Sequence, residues 1–95
     1  MKNTYELTAD LLRSEDKKKI YDLLYLNSNL EGGVNEIIYE FLRDCSTTFV
    51  KNIAEKTLEY KRCSEKQAWC MTYESMNIVH MFDAWVEKEI ESINI

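Results

Sequence analysis

The sequence predicts an all-α protein: a single domain built as a small bundle of four to five helices, ending in a long, largely buried C-terminal helix over residues 65–91. Three observations carry this. Among 95 residues there is no proline and there are only two glycines, so almost nothing interrupts a helix. An all-β chain would need many more turn formers. Apolar residues recur at helical spacing along most of the chain, and between Ala68 and Val86 they occupy more than one face. Trp69, Tyr73, Met76 and Val79 follow one line there, and Met71, Ile78, Phe82 and Trp85 another. Only Glu74 and Asp83 are charged in that span. A helix apolar most of the way round is buried by its neighbours or by a partner chain.

Taken in order, Tyr5, Leu7, Leu11 and Leu12 predict a first helix ending near Arg13. Arg13 to Lys19 holds no apolar residue, so the helix does not run on. Ser14, followed by Glu15 and Asp16, reads as the N-cap of a second helix with acids in its first turn, where the helix dipole favours them. Ile20, Leu23, Leu24 and Asn27 form its inner stripe, with Tyr21 and Tyr25 beside it, and it ends around Asn27-Ser28-Asn29. Glu31-Gly32-Gly33 is the one flexible joint. From Val34 the stripe Val34, Ile37, Ile38, Phe41, Leu42 and Cys45 continues in phase through Phe49, Val50, Ile53, Ala54 and Leu58. Ser46-Thr47-Thr48 competes for backbone hydrogen bonds, and the continuous phase favours a bend there over a full turn. After a link at Tyr60 to Cys63, Ser64 and Gln67 form a capping box that opens the last helix.

The candidate chemistry is sparse. Zinc sites need four ligands, commonly in close pairs. Cys63, Cys70 and His80 lack that spacing, and Cys45 would have to arrive from another helix. No metal or cofactor is expected. Cys63 stands just ahead of a helix N-terminus, where a thiolate would be stabilised, but the single histidine is more than four turns further along the same helix. No glycine-rich phosphate loop and no acid–base pair stands out, so the chain reads as a non-enzyme. Trp69, Tyr73, Phe82 and Trp85 are read as core, with a ligand-lined cavity as the alternative.

Charge placement says more. A net charge of −5 argues against a general nucleic-acid binder, which uses excess Lys and Arg to displace counterions. Lys17-Lys18-Lys19 spread around a helix rather than forming one edge, and no aromatic interleaving is visible beside them. Glu36, Glu40 and Asp44 lie at i, i+4 and i+8, and Asp83, Glu87 and Glu91 repeat that spacing. Like charges at i, i+4 cost a helix about 0.2–0.5 kcal/mol per pair, so two such rows suggest a face that meets a basic partner protein. Trp85, Val86, Ile90 and Ile93 extend the apolar stripe toward the end of the chain and are the candidates for self-association as a homodimer, the rival reading. Three cysteines with no apolar leader at Met1 to Glu6, and no apolar run of membrane length, point to a reducing cytoplasm.

Ser64-Glu65-Lys66-Gln67-Ala68-Trp69 resembles a Ser-Glu-Lys-Gln-Ala helix start found in small acidic helical proteins of phages and mobile elements. Such proteins include inhibitors of host defence nucleases. The resemblance implies a phage or bacterial setting and, as one form of the acidic-face reading, an inhibitor of a host nucleic-acid-binding complex. It assigns no functional residue.

Overall fold

Helix starts need acceptors for their free N–H groups, and the side chains that supply them set where these helices begin. The computed structural model describes residues 2–27 and 33–93. Among them run six α-helices, α1 (Thr4–Arg13), α2 (Lys17–Tyr25), α3 (Val34–Cys45), α4 (Thr48–Tyr60), α5 (Glu65–Asn77) and α6 (Phe82–Ile93), with a 3-10 turn at Val79–Met81 and no strand. The all-helical class stands, with one helix more than the upper expectation.

Asn3 caps α1 by accepting from the Glu6 N–H. Asp16, not Ser14, caps α2 by accepting from the Lys19 N–H. Ser14 instead closes α1, its hydroxyl donating to the Leu11 carbonyl, and Glu15 makes the turn at φ 57°. Gly33 precedes α3 at φ 108°, a conformation that side-chain-bearing residues rarely adopt. Ser28 and Asn29 at the expected end of α2, and Glu31 and Gly32 of the expected joint, lie outside the described residues. The Ser64–Gln67 capping box forms as read, with both reciprocal bonds present at 2.9 and 3.1 Å.

Two expectations are corrected. Residues 34–61 do not form one bent helix. Ser46 and Thr47 are extended, and α3 and α4 fold back on each other as a helical hairpin. Each arm turns its own stripe toward the same core, so an apolar pattern in phase across the turn does not mark continuity. Phe49, read as part of that stripe, is 67% exposed.

Nor is 65–91 one helix. The α-helical path stops at Ile78, where Asn77 is followed by the β-branched pair Ile78-Val79, all weak helix formers. The 3-10 turn re-aims the chain so that Phe82 and Trp85 enter the core from a second helix. Their rings lie 5.0 and 5.4 Å from that of Phe41. The inner face of α5 is Ala68, Met71, Thr72 and Ser75, all buried, while Tyr73 is 52% exposed. Small side chains let α2 pack closely there. The Thr72 and Ser75 hydroxyls donate back to the Ala68 and Thr72 carbonyls at 2.8 Å, so they need no partner across the interface. Trp69 seals the edge by stacking on Tyr21 at 4.1 Å.

Candidate functional site

With one face of every helix committed to the core, the charge sits on the outer faces, and it is divided unequally. Helices α1, α3 and α6 pack on one another. Together they carry nine acids against Arg13, Arg43 and Lys88, a net −6. Helices α2, α4 and α5 carry five acids and six bases, a net +1. The protein's net negative charge therefore lies on its α1–α3–α6 side.

Within that side, the six acids of the two rows are not equivalent. Asp44 accepts from the Trp85 indole N–H at 2.8 Å and from Arg43 Nε at 3.0 Å. Asp83 pairs with Arg13 at 2.8 Å. These two carboxylates tie α6 to α3 and to α1. Glu36, Glu87 and Glu91 are exposed, Glu40 is half-buried, and none of the four has an ion pair among the described residues. Glu89, outside the i, i+4 row, completes the field. Its charge acts on Glu40 of α3, and the two together raise the pKa of the Tyr5 phenol on α1, after burial as the larger cause. Only the packing of α6 on α3 reveals it, since spacing from Asp83 points elsewhere.

Glu40 itself is held above the ordinary carboxylate value of 4.5, first by burial and then by Glu89, Glu36 and Asp44, with Arg43 opposing. A carboxyl whose pKa is raised on folding favours the folded state while protonated, and that contribution is lost as pH rises through the raised value. Glu40→Gln should therefore raise the melting temperature at neutral pH, with the gain shrinking on acidification toward 4.5 and below. Thermal melts of both proteins across that range check it.

Of the proposed self-association residues, Trp85 is only 5% exposed and belongs to the chain's own core. Val86 is half-buried against it, Ile90 is 43% exposed, and the side chain of Ile93 lies outside the described residues. Beside Trp85 an open groove of about 470 Å³ runs between α3 and α6, reaching Cys45 on one side and Met81 and Ala84 on the other.

The remaining candidates do not converge. Burial pushes the Cys45 and Cys63 thiols up, the opposite of what a nucleophile needs. Cys63 is held 3.6 Å from the Leu24 carbonyl. Cys70 and His80 are exposed. Among the described residues no three His, Cys, Asp or Glu side chains come together to hold a metal ion. Aromatic interleaving does exist on the other side. Tyr25, Tyr21, Trp69 and Tyr73 stack in series, with Lys17 over Tyr73 and Lys18 over Tyr21. The order along the chain hides it because the ladder crosses from Tyr25 and Tyr21 on α2 to Trp69 and Tyr73 on α5. Its inner ring faces are filled by each other, as suits a helix–helix seam.

Among the described residues no helix is long and apolar enough to cross a membrane. No family model, curated protein or solved structure matches the chain.

Proposed function

We propose that the protein is a non-enzymatic interaction module whose α1–α3–α6 side occupies a basic surface of a partner protein. The observation that supports this is the division of charge, a net −6 on three contiguous helices against +1 on the other three. A carboxylate field of this kind, with no ion pair at Glu36, Glu40, Glu87 or Glu91 among the described residues, repels itself in the free protein and is relieved by a cationic partner. Complementary charge sets association rate and partner choice more than raw affinity, so the acids act as a selector. A phage-encoded inhibitor that covers the nucleic-acid-binding surface of a host complex is one form of this reading.

The test is affinity capture from a bacterial lysate with wild type and with a variant carrying Glu36→Lys, Glu40→Gln, Glu87→Lys and Glu91→Lys. Asp44 and Asp83 are left alone because they hold α6 in place. The three exposed changes each shift stability by about ±0.5 kcal/mol or less, and Glu40→Gln removes a charge that burial disfavours, so circular dichroism should show an intact fold. A basic protein retained by wild type and lost from the variant is the expected result. The same proteins captured by both would reject the reading.

A further inference from the structure

We infer that the groove between α3 and α6 is a docking pocket for one bulky apolar side chain, carried on a basic segment of the partner protein. This deepens the reading above and rests on it. The groove lies on the acidic side of the molecule, and its lining is mixed in a particular way. Trp85, 5% exposed, and the half-buried Cys45 lie deepest, while Met81, 38% exposed, and Ala84 leave apolar surface open to solvent. Its volume of about 470 Å³ is that of a ligand-sized cleft, roughly 300–1,000 Å³, with room for a bulky apolar side chain together with the backbone that carries it.

Charge complementarity chooses the occupant. Asp44, already paired with Arg43, and Glu89 line the groove, and Glu40 on α3 lies close enough to Glu89 to feel its charge. His80 and Lys88 also line it and are both exposed, so they can swing toward solvent. A segment with cations on both flanks of an apolar residue therefore meets acids around an apolar floor, the arrangement of a buried anchor within a charged rim. The floor is also fixed in advance. The Trp85 indole is pinned by Asp44, which Arg43 holds in turn.

The probe is a short Arg/Ser peptide with one central Leu, compared with the same peptide bearing Ala instead. The protein is the Trp69→Phe variant, which leaves Trp85 as the sole indole fluorophore. The Leu peptide should bind about tenfold more tightly than the Ala peptide, equivalent to about 1.4 kcal/mol, and should shift the Trp85 emission. Adding Ala84→Gln, which fills the groove without changing its charge, should reduce the Leu peptide to the level of the Ala peptide. Equal binding of the two peptides, weakening with salt, would overturn the anchor pocket and leave the acidic-side reading standing. Binding of neither would overturn both. A molecular mass that rises with concentration and returns to about 11.3 kDa in Ala84→Gln would make a second copy of the chain the occupant and so overturn this inference.

Discussion

Replacing Trp85 with alanine should destabilise the fold by about 3–5 kcal/mol, the loss typical of a large aromatic removed from a core. Domains of this size are stable by only about 5–15 kcal/mol, so the variant should melt far below wild type. The indole is 5% exposed and meets three rings, Tyr5 at 6.4 Å, Phe41 at 5.4 Å and Phe82 at 5.6 Å. Those rings belong to α1, α3 and the start of α6, so one side chain joins all three helices of the acidic side. Trp85→Phe keeps one ring in the core but gives up part of the indole's packing and its N–H bond to Asp44. Because a ring remains and Asp44 retains Arg43, this should cost about 1–3 kcal/mol, less than the alanine change. Urea unfolding of the two variants measures the difference. Stability of Trp85→Ala within about 1 kcal/mol of wild type would contradict the placement of this ring in the core.

The second large effect is expected at a small residue. Ala68→Leu should cost about 1–3 kcal/mol, lowering the melting temperature of a chain this long by several degrees for each kcal/mol. Ala68 is fully buried where α5 packs against α2, in line with Met71, Thr72 and Ser75. Three added carbons have no space there, and relief would require prising apart the Tyr21–Trp69 stack. Thermal unfolding reads the loss directly, and near-ultraviolet circular dichroism reports the disturbed stack. An Ala68→Leu variant as stable as wild type, with that signal unchanged, would mean that α5 presents a different face to the bundle.

Ala68 also shows why part of this fold was legible in the sequence and part was not. Helix content, the end of α1 at Arg13, the Ser64–Gln67 box and the inner stripes of α2 and α3 follow from local rules that need no partner. The inner face of α5 does not. Hydrophobicity points to the line through Trp69 and Tyr73, whereas close approach to α2 selects the line of small residues, whose hydroxyls are satisfied within the helix. The break at Ile78 carried a faint signal in Asn77 and the β-branched pair after it, outweighed by the long apolar run. The candidate site divides the same way. Spacing along one helix finds Glu36, Glu40, Glu87 and Glu91, but only the packing of α6 on α3 and α1 brings in Glu89 and pairs Asp44 with Trp85 and Asp83 with Arg13.

The most direct measurement of the acidic-side account is the salt dependence of affinity between the wild-type protein and the basic protein it captures, followed by titration calorimetry. Exposed charges are screened over about 10 Å at 0.1 M salt and about 3 Å at 1 M. The dissociation constant should therefore rise by at least about tenfold between roughly 0.05 and 0.5 M salt, and the variant with Glu36→Lys, Glu40→Gln, Glu87→Lys and Glu91→Lys should bind weakly throughout. An affinity indifferent to salt, with the variant binding as tightly as wild type, would contradict the account.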